Sequence, residues 1–330
     1  IAEPSDAPAN DGMPDASRDL TSELVKLVQA MQEIKSEEDS RVNSYEIFVN
    51  QKQTHIRNSR GVDVTFSGFD CEIEVVTNSR KDDHEIEIYK DLRFSDKSAE
   101  KIIAEVRGMF HTGRQRLNAV PTRQNEHADV LLSGDAVGSF FQYFAMHTNA
   151  SYQYMGVAKA KIGEAITGAD ADPLNIRLVP TLDGSAKNVP YDETGMPAAE
   201  RVLFENGICR SYWGSLQHAH YIGMKDTTSM NNMVVEGGSK TLDELRSMPH
   251  IEITDFSAFD MDAVSGTCGG EIRLAYESDG TTSHPTTSGS LSARYDDVLK
   301  NLTFSKETQQ LNNRVVPCAV LLRDVTVAGE

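Results

Sequence analysis

Between residues 44 and 92 the polarity of the chain alternates with a period of two, and this narrows the choice of fold more than any other feature. In YEIFVN, THIRNS, VDVTFSGF, CEIEVV and HEIEIYKDL, Val62, Val64 and Phe66 alternate with Asp63 and Thr65, and Ile86 and Ile88 with Glu85 and Glu87. Successive side chains of a strand point to opposite faces, so these runs predict an antiparallel meander with one wet face and short polar turns between strands. The dry face needs cover. Leu20, Leu24, Leu27, Val28, Met31 and Ile34 recur at helical spacing upstream, with Asp19 and Glu23 in the early turns, where they oppose the positive end of the helix dipole. Downstream, Asp96 is placed to cap a helix whose inner side is Ile102, Ile103, Val106, Met109 and Phe110. Residues 17–128 therefore read as helix, antiparallel sheet and second helix. They follow a stretch rich in Pro and Asp, residues 1–16, that has almost nothing to bury and reads as a linker or tail.

Residues 129–330 read as a second, strand-rich domain. A short apolar strand at residues 130–132 leads into a helix from Asp135, with Val137, Phe140, Phe141, Phe144 and Ala145 on one side and Asp135, Ser139 and Gln142 on the other. Further strands are expected in NIRLVP, HIEITDF, GEIRLAYESDG and VVPCAVLLRDVTVAG, and a hairpin about Glu205-Asn206-Gly207. Short helices are expected at residues 242–248, capped by Ser239 or Thr241 with Glu244 in the first turn, and at residues 291–302. The whole reads as α+β, dominated by antiparallel strands, and not as a doubly wound sheet.

A formal charge of -18 repels phosphate backbones, and Lys and Arg are scattered, so nucleic acid is not an expected partner. No apolar run is long enough to span a bilayer, so no membrane association is expected and a cytoplasmic location fits. Cys71, Cys209, Cys268 and Cys318 form no CxxC pair and read as reduced, partly buried thiols.

Several segments together resemble the TldD/PmbA family, also called modulators of DNA gyrase. NSYEIFVNQKQTHIRNSRGVDV is similar to the family's paired strands, and PYDETGMPAAERVLFENGICRSYW to its acidic loop and following hairpin. YIGMKDTTSMNNMVVEGGSKTLDELRS and the closing DVTVAG are similar to later family segments in the same order. The resemblance implies a domain preceding Ile1, with residues 1–16 as the hinge to it. It further implies a dimer, with itself or with a zinc-bearing TldD-like subunit, around a chamber that admits unfolded peptides.

Catalytic members carry HExxxH on the helix that corresponds to residues 133–164, because two imidazoles on one side of a helix hold zinc while a glutamate polarises the metal-bound water. Alignment through Lys161-Ile162-Gly163-Glu164 puts the histidine positions near Phe140 and Ala145 and the glutamate near Phe141, and no His or Glu occurs from Asp135 to Met146. The chain is thus expected to resemble the silent PmbA/TldE-type subunit, closer to that than to the TldD type, with no catalytic residue, no metal and no cofactor. Phe140, Phe141, Phe144, His147 and Tyr152 are the candidates for a peptide groove, with a core role as the plainer reading. Alternatives of other classes are a self-sufficient metallopeptidase with displaced ligands such as His147, His218 or Cys318, and a homodimeric peptide-binding scaffold. His147 also suits a helix end whose free carbonyls it satisfies, and Cys318 a small buried thiol. His218 and His220 share a face only on a strand and diverge on a helix. Asp192 and Glu193 sit where loop carboxylates accept backbone hydrogen bonds. Residues 265–270, glycine-rich without a following Lys, read as a tight turn, and Cys268 has no neighbouring base.

Overall fold

The alternating region forms three long antiparallel strands, β1 (Ser40–Arg57), β2 (Asp63–Lys81) and β3 (His84–Phe94), in the order β1-β2-β3. The structure is a computed structural model and describes Glu3, residues 18–228 and residues 231–330. Except for Glu3, the expected linker at residues 1–16 lies outside the described residues. The sequence predicts more and shorter strands, but Gln51, Lys52 and Gln53 pair straight through with Phe69, Gly68 and Ser67 instead of turning. Polar letters in mid-strand do not end this ladder, because β1 is an edge strand whose side chains are largely exposed.

Helices α1 (Leu20–Gln32) and α2 (Ala99–Asn118) cover the dry face. Phe69, Cys71, Ile73 and Val75 of β2 pack with Leu27 and Met31 of α1 and with Ile102, Val106, Met109 and Phe110 of α2. Asp19 caps α1, accepting from the Thr21 N–H at 3.0 Å. Leu24, expected inside, is 38% exposed. Asp96 does not cap α2. It pairs with Arg18 at 3.7 Å, and the Ser98 hydroxyl accepts from the Lys101 N–H instead.

By their contacts the described residues divide into two units: those up to Asn118 with Pro180–Ala198, and Ala119–Val179 with Ala199–Glu330. The expected boundary at 128/129 falls inside a strand of the second unit. Its first sheet contains β4 (Val120–Pro121) and β5 (Asn125–Ser133). The helices α3 (Ala136–His147) and α4 (Ala150–Met155) follow, then β6 (Ile176–Val179), β7 (Arg201–Glu205), β8 (Ile208–Cys209), α5 (Leu216–Tyr221), β9 (Asn232–Val235) and α6 (Leu242–Arg246). After them come β10 (His250–Asp262), β11 (Thr267–Ser278), β12 (Ser283–Thr287), β13 (Ser290–Arg294), α7 (Tyr295–Val298), β14 (Thr303–Phe304), β15 (Thr308–Leu311), β16 (Arg314–Pro317) and β17 (Ala319–Ala328).

The pairings β10-β5-β17-β13-β11 and back to β10 close into a ring, with β12 and β4 continuing outward from β11 and β14 pairing with β17. A second sheet runs β15-β16-β9-β6-β7-β8. Asn206 and Gly207 join β7 and β8 with φ of 50° and 78°, the geometry of the expected Asn-Gly hairpin. Thr241 and Glu244 make a reciprocal capping box on α6.

The expected helix at residues 291–302 is mostly absent. Leu291 and Ala293 turn inward and alternate with Ser290, Ser292 and Arg294, so the segment pairs between β11 and β17 before one helical turn. The last apolar run splits into two strands at Pro317, which has no N–H with which to continue a ladder.

Candidate functional site

Helix α3 packs against β5, β10 and β16, and only Ser139, Gln142 and Met146 on it keep partial exposure. Phe140, Phe141, Phe144 and Ala145 are fully buried in the main core of the second unit. Phe140 lies 5.0 Å, centroid to centroid, from Tyr295 and meets Phe141 edge-on at 5.5 Å; Phe141 in turn meets Phe304 edge-on at 5.6 Å. Two side chains from elsewhere fasten the helix backbone at these positions. The Tyr295 hydroxyl donates to the Phe140 carbonyl at 2.9 Å, and Trp213 Nε1 donates to the Ala145 carbonyl at 2.7 Å. Arg314 of β16 donates to Gln142 Oε1 at 3.0 Å on the helix's polar side.

This geometry corrects the expected groove. Phe140, Phe141, Phe144 and His147 have no exposed surface, and Tyr152 is half-buried beside them. Their apolar spacing fits a core helix because aromatic partners are available on every side.

His147 also differs from its plainer reading. The free carbonyls at the end of α3 are taken by Thr148, whose Oγ1 donates to Phe144 and Ala145, while His147 Nδ1 accepts from the Lys159 N–H at 3.0 Å. The neutral ring therefore carries its proton on Nε2, which is buried without a hydrogen-bond partner of normal geometry. Burial first, and then the nearby Lys159 charge, push the imidazole down to about 4. Tyr143, stacked on Tyr295 at 3.7 Å, likewise has a buried hydroxyl without a partner, and burial raises its pKa.

The remaining candidates are dispersed. Burial drives the Cys268 thiol up to about 12, which removes it as a nucleophile near neutrality. Cys318 is half-buried, and burial raises its pKa too. His218 and His220 lie on α5, a helix, where they diverge; His218 Nδ1 is 2.9 Å from Ser215 Oγ. Asp192 accepts from the Thr194 and Met196 N–H groups at 2.8 and 3.0 Å and so braces its own loop. Residues 265–270 form the turn from β10 into β11 and the start of β11.

Phe140, Phe141 and Ala145, near which the resemblance sets the zinc-motif positions, offer a benzyl, a benzyl and a methyl group, none of which can ligate zinc. Among the described residues no three His, Cys, Asp or Glu side chains converge as a metal site. The donor set of α3 therefore does not fit the metal that the resemblance implies. No helix among the described residues is long and apolar enough to cross a membrane.

Sequence reasoning missed a cleft of about 630 Å³ at the start of β10, with His127, His250, His284 and Glu277 in its lining. Its residues come from three separate stretches, and no local spacing marks it.

The model of the family described as PmbA/TldA metallopeptidase C-terminal domain matches residues 125–329. No curated protein matches. Among solved structures, TldE from Thermococcus kodakarensis aligns with a TM-score of 0.77 at 17% identity, covering 100% of this chain and 80% of that one. A Thermotoga maritima protein described as a candidate modulator of a DNA gyrase gives 0.79 at 17%, covering 99% and 78%. A similarly described Bacteroides thetaiotaomicron protein gives 0.76 at 15%, covering 100% and 78%. At these identities the structural likeness is one of fold.

Proposed function

Because the chain belongs to the PmbA/TldD metallopeptidase family, we propose that it is a catalytically silent subunit of the PmbA/TldE type. In this reading it contributes peptide-binding wall and dimer interface to an assembly whose zinc sits in a TldD-like partner. The observation that carries the proposal is the sealed helix α3. Phe140, Phe141 and Ala145, near which the resemblance sets the zinc motif, are fully buried and lack side-chain donor atoms. No hydrolytic step is therefore routed through this chain's own residues. What they do is hold the helix rigid: Tyr295 and Trp213 each take a carbonyl of its central and last turns. The cytoplasm is the proposed location.

Reconstitution tests the role. Alone, the chain should leave an unfolded casein-derived peptide intact; mixed with a zinc-bearing TldD-type subunit, it should co-elute with that subunit, and the mixture should cleave. Cleavage by the chain alone would instead support a self-sufficient enzyme. Homodimerisation without any association would support the scaffold reading.

A further inference from the structure

Strand β5 has a neighbour along only part of one side. It pairs with β10 from Val130–Ile251 to Leu132–Ile253, while Ile251 faces Glu277 of β11 on its other side. Where all three strands run together, β5 and β11 are two interstrand steps, about 9.6 Å, apart. Below that point β10 stops. Pro249 has no N–H for a ladder, and the preceding Ser247 carbonyl lies against Gly280, in the turn after β11, where an added Cβ would come within 2.5 Å of it. Residues 125–129 of β5 are thus paired on the β17 side only, among the described residues. The cleft of about 630 Å³ opens beside them.

One carboxylate oxygen in it lacks a donor. Glu277, whose side chain is 16% exposed, accepts the Arg123 N–H through Oε1 at 3.0 Å. Its Oε2 lies 3.8 Å from His284 Nε2 and 3.9 Å from Arg123 Nε, both beyond hydrogen-bond range. His250, with 3% side-chain exposure, donates through Nδ1 to the Met248 carbonyl at 2.6 Å. Its Nε2 lies 4.0 Å from Glu252 Oε2. Asp129 and Asp279 also line the cleft, the first paired with Arg323 at 3.3 Å and the second with both oxygens bonded to Thr281 and Thr282 of its own turn.

A strand edge without a partner strand and a Glu277 oxygen without a donor fit an extended, cationic, N–H-bearing occupant. The geometry points to a binding slot for an extended peptide segment carrying lysine, which adds a strand to β5 along residues 125–129 and sets its ammonium beside Glu277 and His250. This rests on the peptide-binding reading above and names its surface and its preferred side chain.

The test uses a fluorescein-labelled octapeptide of alternating Val and Thr with a central Lys, read by anisotropy on the full chain. Replacing Lys by Glu in the peptide, N-methylating its backbone on alternate residues, or substituting Glu277→Gln should each weaken binding about tenfold, as expected for a lost hydrogen bond to a charged group or lost ladder bonds. Far-UV circular dichroism and thermal melting confirm that Glu277→Gln stays folded. Equal affinity for the Lys and Glu peptides, or for the N-methylated peptide, overturns the slot while leaving peptide binding elsewhere intact. Failure of every peptide to bind overturns both the slot and the reading on which it rests.

Discussion

Replacing Phe140 with alanine is expected to remove about 3–5 kcal/mol of folding stability, the usual consequence of emptying a fully packed aromatic site. The ring has no solvent exposure and touches Phe141, Phe144 and Tyr295 at centroid distances of 5.5, 6.5 and 5.0 Å. Its neighbours cannot simply close in, because Tyr295 is anchored through its hydroxyl to the backbone of the same helix. Urea unfolding monitored at Trp213, the single tryptophan, gives the measurement. A midpoint equal to that of the unmodified chain would place the ring on a surface and reopen the groove expected from the sequence.

The second large effect is on acid stability. A His147 pKa pushed down to about 4 by burial means that the unfolded chain, with an ordinary value near 6.5, binds the extra proton first as pH falls. Stability is therefore complete above about pH 6.5 and is lost progressively down to about pH 4, by on the order of 3 kcal/mol from this one group. Both the surrounding burial and the Lys159 charge act in this direction, and the Ala263 backbone and then Asp296, paired with Lys159 at 2.5 Å, oppose it only in part. His147→Asn keeps an acceptor for the Lys159 N–H but does not titrate. Unfolding free energies measured at about pH 7 and pH 4.5 should fall much less in this variant than in the parent. An identical fall in both would show that His147 is protonated in the native state without cost.

Much of this fold is written locally. The Asn-Gly hairpin, the Thr241–Glu244 capping box and the inner side of α2 follow from the chemistry of neighbouring residues, and the sequence announces each. What it does not announce is set by partners far along the chain. The segment at residues 291–294 suits one inward turn of helix or two inward positions of strand, and the edges of β11 and β17 decide for the strand. Gln51 to Gln53 read as a turn because their letters are polar, yet an edge strand with exposed side chains accepts them. Asp96 reads as a cap until Arg18, 78 positions earlier, takes it as an ion-pair partner.

The site divides the same way. That no His, Cys or Glu lies between Asp135 and Met146 is plain from the letters. Whether its aromatic residues line a groove or fill a core depends on Tyr295, Trp213 and Phe304, which no local pattern links to the helix. The cleft beside β5 was illegible for a related reason. It exists because β10 begins late and leaves a strand edge uncovered, a fact of pairing register that residue types do not encode.

A silent subunit carries no metal of its own, and zinc stoichiometry tests this most directly. Elemental analysis of the purified chain after dialysis against a weak chelator should find zinc far below one ion per chain. Tightly held zinc at about one per chain would contradict the silent-subunit reading, since structural and catalytic sites bind that strongly only through several converging ligands. His147, His218, His220 and Cys318 would then be the first residues to substitute.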